Sequence, residues 1–191
     1  MARPRSISDE RVLAAAGAVI AEVGPGFTLA QVAAEAGISV GTVAQRFGSK
    51  SGLLQALSIA VTQDTVDRMR AAGTGVDGLR AALVAVYDGL GGAEAAANNL
   101  GQLGVDIGDP VLRKLLGEHF TAVEAEIRYL ITGCTAELPG APGPVRAART
   151  LLDVVNGVAL DWSIRPRGRL VDRLEQDIDA VLVGWRRERE G

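Results

Sequence analysis

FTLAQVAAEAGISVGTVAQRFGSK, residues 27–50, is the stretch that decides how this chain folds. Thr28 followed three positions later by Gln31 has the form of a capping box, and Phe27 with Val32 occupies the positions of a hydrophobic staple, so a helix is predicted to start at Leu29. Leu29, Val32, Ala33 and Ala36 make one apolar face, and Gly37 then supplies the permissive backbone of a sharp turn. Ser39 caps the next helix, with Ile38 and Val43 as a second staple. Two short helices joined by a tight glycine turn are the sequence form of a helix-turn-helix, whose second helix enters the DNA major groove.

A helical wheel assigns the faces of that second helix. Val43 and Phe47 project toward the core, leaving Gly41, Thr42, Ala44 and Gln45 on the opposite side. Gly41 and Ala44 allow close approach to a duplex, Thr42 can donate to a phosphate or base edge, Gln45 can pair two-pronged with adenine, and Val40 is placed for a thymine methyl. Arg46 and Lys50 flank this face and are expected to neutralise phosphates. Ser49 is positioned to cap a fourth helix whose N-terminal amides face another phosphate. With the caps Thr28 and Ser39, these residues form the expected DNA-contact set.

Gly37-Ile38-Ser39-Val40-Gly41-Thr42-Val43, then Phe47-Gly48-Ser49-Lys50 and Leu53-Leu54, resembles the signature of TetR-family regulators. The likeness is specific over Thr28–Leu54, and beyond it is one of layout. It implies an all-α fold of about nine helices: a helix-turn-helix DNA-binding domain over residues 1–50, then a larger helical domain over 51–191 for ligand sensing and dimerisation. It further implies a homodimer on a near-palindromic operator, commonly as a repressor released by a small molecule. The chain departs from the family where a tyrosine is usual, at Ala44, and the next two positions, commonly aromatic or histidine, are Gln45 and Arg46. Arg46 is expected to replace the missing backbone anchor.

The charge along the chain is uneven. Residues 1–50 hold five basic side chains (Arg3, Arg5, Arg11, Arg46, Lys50) against four acidic ones (Asp9, Glu10, Glu22, Glu35), a balance of +1, while the other 15 basic and 19 acidic residues give −4. The N-terminal portion is thus the better polyanion partner, and Arg3 and Arg5 are candidates for an arm reaching the minor groove or backbone. Met1–Arg5 followed by the apolar run Val12–Ala21 mimics a secretory signal, but Asp9 and Glu10 interrupt it. The run is also too short to span a bilayer. Val12, Leu13, Val19, Ile20 and Val23 instead share one face of an amphipathic helix.

Further along, helices are expected over about 50–71, to about Leu90, over 93–105, from Asp109-Pro110, over 145–164 and over 170–187, with a proline- and glycine-rich loop at Leu138–Pro144. Aromatics are only 4% of residues, so the core must be built from Ala, Leu and Val, as suits packed helices. The single cysteine, Cys134, excludes a disulfide framework and cannot make a structural zinc site with the lone His119, which points to the cytoplasm and to no metal or cofactor. His119 lacks the context of a catalytic base and no phosphate-binding glycine loop is present, so no enzyme is expected. Glu118, Glu124 and Glu126 read as a solvated helix face.

The last two helices each carry an apolar stripe: Ala148, Leu151, Leu152, Val155, Ala159 and Trp162 in one, Leu170, Leu174, Ile178, Val181, Leu182 and Trp185 in the other. From the resemblance, Leu151, Leu152, Val155, Ala159, Leu174, Ile178, Val181, Leu182 and Trp185 are expected to meet a second copy. The alternative is that the stripes pack against the chain's own domain. Tyr87, Asn98, Asn99, Gln102, His119 and Trp162 are candidate contacts to the effector, and the glycine- and alanine-rich run from Gly89 to Gly108 suggests an adaptable wall. The rival to a regulator is a helical dimerisation protein that binds no operator.

Overall fold

Four of the helices begin where a side chain takes up the first free amides. The computed structural model describes residues 7–187, and these form nine α-helices and no strand: α1 (Asp9–Val23), α2 (Leu29–Ala36), α3 (Val40–Phe47), α4 (Lys50–Ala71), α5 (Gly75–Ala85), α6 (Ala93–Gly108), α7 (Pro110–Gly133), α8 (Pro144–Ile164) and α9 (Leu170–Trp185). The capping box of α2 is complete. Gln31 N–H donates to Thr28 Oγ1 at 3.3 Å and Thr28 N–H donates back to Gln31 Oε1 at 2.8 Å. Ser39 Oγ accepts from Thr42 N–H at 3.1 Å, Ser49 Oγ from Gly52 N–H at 3.1 Å, and Asp109 Oδ1 from Val111 and Leu112 N–H at 2.8 and 3.1 Å. These acceptors satisfy amides that no helical carbonyl can reach.

Gly37, at φ 71°, ends α2: its own N–H bonds to Ala34 O while Ile38 N–H reaches Ala33 O. That pair of bonds is a Schellman closure, and the left-handed backbone it needs suits glycine. Between α1 and α2 the segment Gly24–Gly26 forms a 3-10 turn that the sequence pattern does not announce. Helix α5 is shorter than expected. It stops at Ala85, after which Tyr87 N–H bonds to Val84 O and Leu90 N–H to Tyr87 O, tight turns that lead into Gly91 at φ 75°.

The chain divides into two compact units. The first takes the residues up to Val61 together with Glu94–Gly117. Its core gathers Val12, Ala16, Val19, Ile20, Phe27, Val32, Val43 and Leu53 with Leu112 from α7, and Leu13 and Leu115 pack at its edge. Val23, predicted to share this face, stays exposed at the end of α1. Helix α4 belongs partly to each unit, and a later segment, Glu94–Gly117, completes the first core.

The second unit takes Thr62–Ala93 and the residues from Glu118 onward. Here α8 and α9 pack on each other and α5 packs on both. Leu79, Leu83, Leu151, Val155, Leu174, Ile178 and Leu182 form its buried seam. Arg80 on α5 donates from Nε and Nη2 to the two carboxylate oxygens of Asp179 at 2.8 and 3.0 Å and approaches Glu175 at 3.4 Å. Those side chains are a third to a half exposed, so the fork orients the helices more than it stabilises them. Glu126 is not simply solvated, as it accepts from Arg70 Nε at 3.0 Å. No helix among the described residues is long and apolar enough to cross a membrane.

The expected dimer stripe is turned inward. Leu151, Leu152, Val155, Ala159, Leu174, Ile178 and Leu182 are buried within the single chain, and Val181 and Trp185 are half-buried. Periodicity reveals that a helix has an apolar face but not what covers it, and here the cover is α5 and the opposing helix of the pair. The outward faces carry other residues: Gly157, Leu160 and Ile164 on α8, and Ala180, Val183 and Gly184 on α9, all exposed.

Candidate nucleic-acid interface

Helix α3 presents a small, mostly uncharged face. Val43 is fully buried and Phe47 half-buried, while Val40, Gly41 and Gln45 are exposed and Thr42 and Ala44 are half-exposed. Their side chains occupy the two sides of the helix that the wheel assigns. The Thr42 hydroxyl lies 2.9 Å from Ser39 Oγ, and the Thr28 hydroxyl donates to Gln31 Oε1 at 3.0 Å, so both have local partners as well as exposure to solvent.

The two cations predicted to flank this face have partners within the chain. Arg46 Nη1 donates to Ile7 O at 2.5 Å and to Asp9 Oδ1 at 3.1 Å, which ties α3 to the start of α1. Lys50 Nζ donates to Pro25 O and Phe27 O, both at 2.7 Å, and sits 4.1 Å from the centre of the Phe27 ring. The reason is hydrogen-bond supply. The 3-10 corner leaves carbonyls without helical amide partners, and a lysine on the neighbouring helix provides donors and rests against an aromatic face. A wheel gives the direction of a side chain but not the acceptors waiting 23 to 39 residues away. Arg3 and Arg5 lie outside the described residues.

Gly52 was not singled out by its sequence context. A Cβ there would stand 2.1 Å from Phe47 O, so the first turn of α4 presses directly on the end of α3. A glycine in the opening turn of a long helix is the only local signal of such an approach.

The six effector candidates fall in two separate groups. In the first unit, Asn98 Nδ2 donates to Ala21 O and Glu22 O at 2.9 Å, and Asn99 Nδ2 donates to Ala95 O at 2.7 Å. Gln102 is buried and donates from Nε2 to Asp106 at 2.8 Å, while its Oε1 has no hydrogen-bond partner. Burial pushes the Asp106 carboxyl above its ordinary value, the Gln102 bond opposes this, and the charge of Asp109 adds to it.

In the second unit, Tyr87 Oη donates to Asn156 Oδ1 at 2.7 Å, and burial pushes its hydroxyl up to about 12. His119 Nδ1 lies 3.1 Å from Thr62 Oγ1, and burial holds the imidazole below its usual value. Trp162 Nε1 donates to Gly168 O at 3.3 Å, closing the turn between α8 and α9. An open groove of about 390 Å³ in this unit is lined by Asp77, Arg80, Ala81, Val84, Ala85, Asp88 and Glu175, none of them among the six.

A capped two-helix reader whose second helix exposes small and amide side chains defines the class of helix-turn-helix DNA-binding modules. Residues 12–57 match the family model described as bacterial regulatory proteins, tetR family. The segment belongs to that family, and the whole chain carries the fold of TetR-family regulators. A transcriptional regulator from Rhodococcus sp. Rha1 superposes with a TM-score of 0.72 at 24% identity, over 93% of this chain and 97% of the other. SmeT, the repressor of the Stenotrophomonas maltophilia multidrug efflux pump SmeDEF, gives 0.71 at 22% identity over 94% and 91%. PfmR, a TetR-family regulator from Thermus thermophilus, gives 0.68 at 19% over 91% and 98%. No curated protein sequence matches the chain at a significant level.

Proposed function

We propose that this chain is a homodimeric, sequence-specific DNA-binding repressor that a small molecule releases from a near-palindromic operator in the cytoplasm. The observation that carries the reading is the exposed Val40-Gly41-Ala44-Gln45 face of α3 opposite a fully buried Val43. Gln45 has the reach and the donor–acceptor pair for an adenine edge, and Gly41 and Ala44 leave room for the backbone to approach. Thr28, Ser39, Thr42 and Ser49 frame the contact, their hydroxyls lying at helix N-termini where phosphate oxygens are favoured. A repressor's role is supported by the likeness to SmeT.

The dimer in this reading forms through the outward faces of α8 and α9, where Gly157, Leu160, Ile164, Ala180, Val183 and Gly184 allow two helix pairs to pack closely. Two-fold pairing would set two reading helices about one helical turn of DNA apart. Among the candidates for effector contact, Gln102 is favoured by its buried acceptor without a partner. The effector must bind the released conformation better than the bound one.

Selection of genomic fragments by the pure protein tests the DNA reading. Recovery of a near-palindromic site whose base preference changes in Gln45→Ala supports it. A chain that holds all duplexes alike would remove it.

A further inference from the structure

The turn at Gly24–Gly26 joins α1 to the two reading helices, and it is gripped from two sides by side chains remote in sequence. From α6, Asn98 donates from Nδ2 to Ala21 O and Glu22 O, both at 2.9 Å, which places a cap over the C-terminal carbonyls of α1. The fit is close: a Cβ at Gly24 would meet Asn98 Oδ1 at 3.0 Å, and a Cβ at Gly101, one turn further along α6, would meet Pro25 Cδ at 3.3 Å. From α4, Lys50 Nζ holds Pro25 O and Phe27 O at 2.7 Å. Together the two side chains take up four carbonyls between Ala21 and Phe27, on either side of and within a corner that makes little regular structure of its own.

The geometry points to Asn98 and Lys50 as positioning residues for DNA reading: they fix the corner between α1 and α2, and through it the angle at which α3 meets a groove, without touching the duplex themselves. This rests on the DNA-binding reading above. It gives Lys50 a different task from a phosphate contact, since both of its acceptors are backbone oxygens of its own chain.

The two tasks have different signatures. A phosphate contact contributes to all duplexes and to the salt dependence, with a slope of about 0.9 per phosphate. A positioning residue contributes to the ratio of specific to random binding and leaves the salt slope of random binding alone. A residue needed only for folding changes neither, and lowers only the fraction of protein that binds.

The experiment measures affinity for a selected operator and for random duplex across a salt series, with active fractions titrated, for the full chain and for Asn98→Ala, Lys50→Met and Gly101→Ala. Lys50→Met keeps the stem against Phe27 and removes the donors. Gly101→Ala shifts the corner by a few tenths of an ångström and serves where Asn98→Ala fails to fold. The expected result is a specificity ratio lowered roughly tenfold in each, with random binding and its slope unchanged. Ratios within about twofold of the parent overturn the assignment. So does a Lys50→Met slope for random duplex flattened by about one ion, which would restore the phosphate contact. A loss confined to the active fraction also overturns it. A parent chain with no preference at all removes instead the DNA-binding reading beneath it.

Discussion

The surroundings of α3 and the α8–α9 pair are both helical and both amphipathic, yet one declares its outer face in the sequence and the other does not. Around α3, caps and turns are local: Thr28, Gly37, Ser39 and Ser49 each act within three to five residues, so chain spacing alone orients Val43 inward and Gln45 outward. In α8 and α9, orientation depends on which apolar stripe meets α5, a matter of contacts nearly 70 to 100 residues apart. An amphipathic pattern is therefore a statement about burial, and becomes a statement about a partner only when the rest of the chain has been packed.

The strongest effect is expected in the α8–α9 pair. Leu174→Ala, at a fully buried position, is expected to cost about 2–5 kcal/mol in urea unfolding at any protein concentration. Leu160→Ser, on the outward face, should leave the stability of the isolated chain within about 0.5 kcal/mol and weaken self-association in sedimentation. Equal destabilisation by both would erase the distinction between the faces. Next comes Gly52→Ala, whose new Cβ would run into Phe47 O and should cost about 1–3 kcal/mol by the same unfolding measurement.

Ser39→Ala should cost about 1 kcal/mol, because the Thr42 amide loses its cap. A cost near zero would mean that local capping does not set the start of α3. The smallest effect is electrostatic. Burial keeps the His119 imidazole below its ordinary 6.5, so between that value and its folded pKa the unfolded chain takes up a proton that the folded chain refuses. Stability is thus full above about pH 6.5 and declines as pH falls through that window. Denaturation midpoints measured from pH 7 to pH 5 should decline less in His119→Asn, and identical profiles would show that another group carries the dependence.

The sequence carried the fold where short-range chemistry decides it. The bounds of α2, α3 and α4, the caps at Thr28, Ser39, Ser49 and Asp109, and the glycine stop at Gly37 all follow from neighbours in the chain. The ends of α5, the corner at Gly24–Gly26 and the inward pull on Arg46 and Lys50 do not, because their partners are brought near only by tertiary packing. The same limit applies to the six polar or aromatic candidates between Tyr87 and Trp162: the resemblance suggests them, but Asn98 and Trp162 prove to be caps on backbone carbonyls, and Gln102 alone among the six keeps a buried atom without a partner.

Leu112 in the core of the first unit has a consequence for how the protein is made and recombined. A ribosome that has released residues 1–61 has not yet supplied Asn98, Leu112 or Leu115, so the reading head stays incomplete until more than half of the polypeptide has emerged. A chimera that grafts this head onto a foreign sensor must bring the segment 94–117 with it, and a transplant cut at residue 61 would expose the apolar bed on which that segment rests.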